Sequence, residues 1–215
     1  MKKRAVIFDM DGVLVDSEPV YIQSFRDFLN RHGGKADEST LNKIAGASAK
    51  RTWELVAQMW REPISPEKVR GIYKGEQPEF LIPYREIMFP GIEELLGFLK
   101  EKGMILAVAS SSSQASIQRM LEETGIKSYF SYVVSGEMFR ESKPHPEIYL
   151  YTLSCLGLPA NDCLAVEDSA YGIQAAKSAG LEVAAVKDTR FSYDQSGADV
   201  WIERTADLRK LFEKT

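Results

Sequence analysis

Ala5-Val6-Ile7-Phe8-Asp9-Met10-Asp11-Gly12-Val13 runs four apolar residues into two aspartates spaced two apart and then a glycine. A short unbroken apolar run that ends at a turn reads as a strand buried on both faces, as in parallel sheets. Five further runs have this form, at 105–109, 132–134, 164–166, 183–186 and, more weakly, 200–202. Between them lie helical patterns at 91–102, 114–123, 146–156, 170–179 and 206–213, several closed by a glycine: Gly103, Gly125, Gly157, Gly180. This alternation predicts an α/β fold, a doubly wound parallel sheet with helices on both faces.

One stretch departs from it. From 16 to 85 no strand-like run occurs, and Tyr21, Phe25, Phe28 and Leu29 fall at i, i+4, i+7 and i+8 before the Gly33-Gly34 stop. Further helices are predicted at 38–44, 50–60 and 66–80. The expected organisation is an α/β core of 1–15 and 86–215 with a helical cap domain, 16–85, inserted after the first strand. An insert at that point is expected over the carboxyl ends of the strands, where open α/β sheets bind ligands, and so to act as a lid.

With 27 Lys and Arg against 31 Asp and Glu, the 215-residue chain carries a net charge of −4. That disfavours nucleic acid or an anionic membrane surface as partner and favours a small solute. No apolar run approaches the roughly 20 residues of a membrane span, and Met1-Lys-Lys-Arg is too quickly followed by the first strand for a signal peptide. A cytoplasmic location is expected. Cys155 and Cys163, outside any metal-ligand spacing, read as small buried hydrophobes. With two histidines in the chain, catalysis falls mostly to carboxylates, Lys, Ser and backbone amides.

Four strand ends carry candidates. Asp9 and Asp11 read either as nucleophile or metal ligand with an acid/base, or as turn residues, and Gly12 permits a sharp turn that faces amides to an anion. Ser110 follows the second long strand and suits a phosphate at a helix start, while Ser111 with Gln114 matches a capping box. Lys143 sits before Pro144 and Pro146, the latter opening a helix; a lysine there is as readily a solvated charge. His145 reads as structural and His32 as a basic helix end. Glu167-Asp168-Ser169 precedes a helix, where Asp or Ser is an ordinary N-cap. Two adjacent buried acids would nevertheless repel without a cation between them, and Mg²⁺ is the expected one. Together the four sites suit phosphoryl transfer, in which Mg²⁺ and Lys⁺ must neutralise phosphate oxygens before a carboxylate can approach phosphorus.

Phe8-Asp9-Met10-Asp11-Gly12-Val13-Leu14, Ser110, Lys143-Pro144 and Val166-Glu167-Asp168-Ser169 with Gly172 resemble the four motifs of the haloacid dehalogenase superfamily. The resemblance spans essentially the whole chain and includes Asp16-Ser17-Glu18-Pro19 at the entry to a helical cap. It is nearest to the subgroup of β-phosphoglucomutase and sugar-phosphate phosphatases. It implies Asp9 as aspartyl-phosphate nucleophile, Asp11 as general acid/base, and Ser110, Ser111 and Lys143 as phosphate binders. Asp9, the Asp11 carbonyl, Glu167 and Asp168 would surround Mg²⁺.

The expected activity is therefore a Mg²⁺-dependent phosphatase acting on a small phosphorylated metabolite, with β-phosphoglucomutase as the alternative. A receiver-type signalling domain also groups acids and a lysine on a parallel sheet, but lacks such an insert and the Asp-x-Asp arrangement. In the mutases of the family a His lies in the first cap helix and Lys-Gly-x-Ser-Arg forms the cap loop. The matching positions here are Tyr21 and Ala45-Gly46-Ala47-Ser48-Ala49, without His, Lys or Arg, which favours hydrolysis. Trp53, Trp60, Tyr73 and Phe80 read as cap core. Tyr21, Gly46 and Lys74 are weaker candidates for substrate contact, Lys74 reading equally as a solvated helix lysine. Nothing in the sequence sets the oligomeric state.

Overall fold

The computed structural model describes residues 3–45, 47, 49–76, 82–191 and 194–213. The chain divides into two compact units, Met1–Asp16 with Tyr84–Thr215, and Ser17–Pro83.

The first unit is built on six strands, β1 (Ala5–Phe8), β2 (Ile105–Ser110), β3 (Tyr132–Ser135), β4 (Cys163–Glu167), β5 (Glu182–Val186) and β6 (Val200–Ile202). All neighbours pair in parallel, in the order β3-β2-β1-β4-β5-β6. The chain therefore builds outward from β1 to one edge, then returns through β4 to build toward the other. The reversal lies between β1 and β4, the place at which open α/β sheets form a crevice beyond the strand ends.

Strand parity decides which side chains meet. Ala5, Ile7, Ala107, Ala109, Cys163, Ala165, Val183 and Ala185 pack in one cluster with Ile148, Tyr149 and Leu153 of one helix (Glu147–Leu156) and Ile173, Ala175 and Ala176 of another (Ala170–Ser178). Small residues on the strands let these helices approach closely. Asp9 and Glu167 continue the parity of Ile7 and Ala165 and so turn toward this same layer. Helices Ile92–Glu101 and Gln114–Glu123 bury Leu95, Leu96, Leu99, Ile117 and Met120.

The predicted C-terminal α-helix is instead a 3₁₀ stretch, Thr205–Leu211. Asp207 pairs with Arg204 three residues back and with Lys210 three residues on. In a helix of three residues per turn these side chains stack, which favours the tighter winding. The Thr205 hydroxyl also bonds the Val13 carbonyl at 2.6 Å and ties this stretch to the loop after β1.

The second unit contains α1 (Glu18–Arg31), α2 (Glu38–Leu41), α3 (Ala49–Gln58) and α4 (Pro66–Glu76). Pro19 lies in the first turn of α1, where a missing amide proton costs nothing, and Ile22, Phe25, Phe28 and Leu29 form its buried face. Phe25 meets Trp53 at 5.6 Å between ring centroids, and Phe28 meets Trp60 at 5.4 Å and Tyr73 at 5.0 Å. The aromatic residues predicted as core are packed in this way, except Phe80, which lies outside the described residues. His32 closes α1, stacks on Trp60 and bonds Glu76 of α4 at 2.8 Å. The helix predicted at 38–44 is a single turn capped by Asp37, whose carboxylate accepts from the Thr40 amide.

The two connections between the units leave the sheet unit side by side. The amide of Asp16 donates to the Ile87 carbonyl at 2.8 Å and that of Phe89 to the Leu14 carbonyl at 3.0 Å. Arg190 then grips both oxygens of Asp16 at 2.8 Å and also pairs with Asp188.

Candidate active site

Parallel register places Phe8 level with Val108 and Val166, so Asp9 emerges between Ala109 and Glu167. Lys143 closes this row. Its ammonium donates to Asp9 Oδ1 at 2.8 Å, to the Ala109 carbonyl at 3.0 Å and to Glu167 Oε1 at 2.6 Å, which uses all three of its protons. Tyr149, in the first turn of the helix that follows, donates its hydroxyl to the same Glu167 oxygen at 2.5 Å and presents its ring 5.1 Å from the ammonium. The acids Asp9 and Glu167 thus share one lysine as their counter-ion. Lys143, expected at the phosphate, is thus also the ion-pair partner of these two acids.

Asp9, Glu167 and Asp168 are 8%, 0% and 4% exposed, and one oxygen from each lies within 4.8 Å of the others. Three carboxylates facing one ammonium leave two negative charges to balance when all are ionised. Glu167 Oε2 is buried without a hydrogen-bond partner. Glycines make room for the acids: a Cβ at Gly12, which has φ +74°, would strike Asp168 Oδ2 at 2.1 Å, and one at Gly172 would strike Glu167 Oε2 at 2.0 Å. Clustered oxygen ligands, an orphaned carboxylate oxygen and a residual charge of this size fit a hard divalent cation.

Burial pushes the Asp9 carboxyl up to about 7, with Lys143 opposing and Glu167 and Asp11 adding to the rise. Burial alone would lower the Lys143 ammonium, but Asp9 and Glu167 outweigh it and hold it well above the ordinary value. The Tyr149 phenol is held high by burial and by Glu167, and stays a proton donor.

The chain leaves β1 at Phe8 and turns at once, the Leu14 amide reaching the Met10 carbonyl and the Gly12 amide the Val15 carbonyl. Asp11 stands at the mouth of the turn 12–14, in an isolated β-bridge with Val15. Its Oδ2 accepts from the Ser112 hydroxyl at 2.7 Å. Ser110 is fully buried and its hydroxyl accepts from the Ser112 amide at 3.1 Å, while Ser135 donates to the Ser112 carbonyl at 2.7 Å. Ser111 is exposed and does not cap the helix; Ser113 does, accepting from the Ser116 amide at 3.1 Å. The local Ser110–Ser112 turn delays the helix to Gln114, so the cap falls two residues later than the capping-box pattern implied. At the other strand end the N-cap is Ser169, not Asp168; its hydroxyl accepts from the Gly172 amide. Gln195 holds the Asp168 carbonyl at 2.5 Å.

Asp9, Lys143, Glu167 and Asp168 are thus gathered in one cluster, with Ser110 and Asp11 linked through Ser112. In the helical unit, Tyr21 is half-buried on α1 and Lys74 is exposed on α4, whereas Gly46 lies outside the described residues. Tyr149, Ser112, Gln195 and Thr205 were not singled out from sequence. Cys163 is buried as expected, but Cys155 is only partly so.

The haloacid dehalogenase-like hydrolase family matches residues 6–186. A phosphorylated carbohydrates phosphatase of Thermotoga maritima is 34% identical over 179 residues, covering 83% of this chain and 82% of that protein. Hexitol phosphatase B of Escherichia coli is 31% identical over 182 residues, covering 82% and 80%. In fold, the crystal structure of β-phosphoglucomutase from Clostridium difficile superposes with a TM-score of 0.75 at 24% identity, covering 99% of this chain and 96% of that one. The chain belongs to the haloacid dehalogenase-like hydrolases, in the branch of sugar-phosphate phosphatases and β-phosphoglucomutase-like proteins. Within that family it is a phosphoric monoester hydrolase. Among the described residues, no helix is long and apolar enough to cross a membrane.

Proposed function

We propose that this protein hydrolyses a small sugar or polyol monophosphate through an aspartyl-phosphate on Asp9. The observation that carries the reading is the buried ammonium of Lys143 bonded to Asp9 Oδ1 at the switch point of the sheet. A carboxylate there is desolvated and held in one orientation by a cation that can also face phosphate oxygens. The phosphatase relatives support hydrolysis of a phosphorylated carbohydrate or polyol.

Asp9, Glu167, Asp168 and the Asp11 carbonyl would hold Mg²⁺, which when bound offsets the charge of the phosphoryl oxygens. Asp9 attacks phosphorus, and the P–O bond to the leaving group breaks. Asp11, held by Ser112, gives its proton to the leaving oxygen and then takes one from the water that cleaves the acyl phosphate. Ser110, at the end of β2, and Ser111, in the turn that follows it, stand before the helix Gln114–Glu123, where backbone amides suit the phosphate oxygens. The insert of 16–85 serves as the cap that selects the substrate, with Tyr21, Gly46 and Lys74 as candidate contacts.

A screen of sugar and polyol phosphates with Mg²⁺, monitoring both inorganic phosphate and isomer formation, tests this. Phosphate release is expected from at least one sugar or polyol ester. With β-glucose 1-phosphate primed by glucose 1,6-bisphosphate, isomerisation faster than phosphate release would overturn the choice in favour of a mutase.

A further inference from the structure

Glu167 has no accessible surface, yet both donors that reach it converge on a single oxygen. Oε1 accepts from Lys143 at 2.6 Å and from the Tyr149 hydroxyl at 2.5 Å, while Oε2 has no hydrogen-bond partner. A buried carboxylate has about four lone-pair sites over two oxygens and ordinarily shares its donors between them. The imbalance follows from what surrounds the group. On one side Gly172 lies so close that a Cβ there would overlap the carboxylate, and on the other Tyr149 and Lys143 take the same oxygen.

Packing alone does not require a hydroxyl at 149. The ring belongs to the buried apolar layer that includes Ile7, Ala109, Ala165 and Leu153, where a phenyl group would serve equally. The ring also faces the Lys143 ammonium, and a phenyl face does this as well. What the hydroxyl adds is its bond to Glu167. Without it, Oε1 would have Lys143 as its one remaining donor, and the ammonium, already divided among Asp9, Ala109 and Glu167, would be drawn toward Glu167 and away from Asp9.

We propose that Tyr149 is a positioning residue. Its hydroxyl pins the Glu167 carboxylate by Oε1, which leaves Oε2 available to a divalent cation, or to a water on it, and leaves Lys143 on Asp9. This rests on the reading of Asp9, Glu167 and Asp168 as cation ligands and extends it to a group that touches neither cation nor substrate.

The test is calorimetric titration of the full-length protein with Mg²⁺ at fixed pH, for wild type, Tyr149→Phe, Glu167→Gln and the double variant. Loss of an outer-shell partner typically weakens metal affinity about 10–100-fold, and Tyr149→Phe is expected near the lower end, about tenfold. The Mg²⁺ concentration for half-maximal turnover should rise in parallel, with a metal-free melting temperature within a few degrees of wild type. In the Glu167→Gln background the same change should add less than about twofold, because the carboxylate it steers is gone. An unchanged Mg²⁺ affinity in Tyr149→Phe, or an equal loss in both backgrounds, overturns the role of Tyr149 and leaves the phosphatase reading standing. A wild type that binds no Mg²⁺ and works at full rate in chelator overturns both. Should Tyr149→Phe fail to fold, ring-labelled tyrosine NMR of the wild type carries the test. Saturating Mg²⁺ is expected to move the Tyr149 resonance, and no movement counts against the proposal.

Discussion

At the strand ends of the sheet unit Asp9, Lys143, Glu167 and Asp168 are all buried, whereas in the helical unit Glu38, Lys50, Arg51 and Lys74 are exposed and aromatic rings fill the interior. Taking carboxylates out of water is costly, and a single lysine shared between two of them does not maximise stability. The helical unit follows the ordinary rule of apolar inside and charge outside. The difference supports the proposal that the chemistry belongs to the sheet unit: its buried charges call for a role beyond folding, whereas the helical unit's aromatic core does not.

The sharpest way to break this contrast is Asp9→Asn, which keeps the shape but removes the proposed nucleophile. Turnover should fall on the order of 10⁴-fold or more with the circular dichroism spectrum unchanged. Phosphate release near the wild-type rate would strip the cluster of its proposed purpose. Asp11→Asn should cost roughly 10²–10⁴-fold on alkyl phosphates and less on aryl phosphates, whose leaving groups need no proton. Equal losses on both esters would argue against proton transfer by Asp11.

The helical unit should respond in the opposite sense. Phe28 is fully buried among Trp60, Tyr73 and His32, so Phe28→Ala should destabilise by about 3–5 kcal/mol in denaturant melts. Mg²⁺ affinity of the folded variant should stay as in wild type; a large change would mean that the helical core also sets the acid cluster.

A smaller and graded effect comes from pH. In the folded, metal-free protein Asp9 is raised from 3.8 to about 7, so between these values the native state holds a proton that the unfolded chain has released. Stability from this group is therefore greatest at low pH, falls as pH rises from near 4 to about 7, and is level above. A divalent cation must displace the same proton, so Mg²⁺ affinity should weaken by about tenfold per pH unit below 7 and level off above it. Calorimetry across this range checks the slope, and an affinity flat from pH 5 to 8 would contradict it.

The strand runs and Gln114–Glu123 are legible because burial on both faces of a parallel strand and a 3.6-residue period leave direct marks in composition. Asp9, Lys143, Glu167 and Asp168 are legible too, because each stands next to a strand end or a proline-marked helix start. Tyr149 is not: at the first turn of an apolar helix it looks like any core aromatic, and its hydroxyl acquires meaning only when β4 brings Glu167 to it from 18 positions away. Ser112 is one of four consecutive serines, and only the turn after β2 selects which of them meets Asp11. The capping box at Ser111 misleads for the same reason, since local pattern matching does not include the Ser110 side chain's hold on the backbone.

Asp9 is proposed to carry the phosphoryl group during turnover. The most direct measurement is an acid quench of the Asp11→Asn variant during turnover of a good aryl phosphate, followed by borohydride reduction and peptide mass spectrometry. An acyl phosphate at Asp9 would be reduced to homoserine at that position, and Asp9→Asn should show none. Turnover with Asp9 unmodified, or with the label on another residue, would contradict the account.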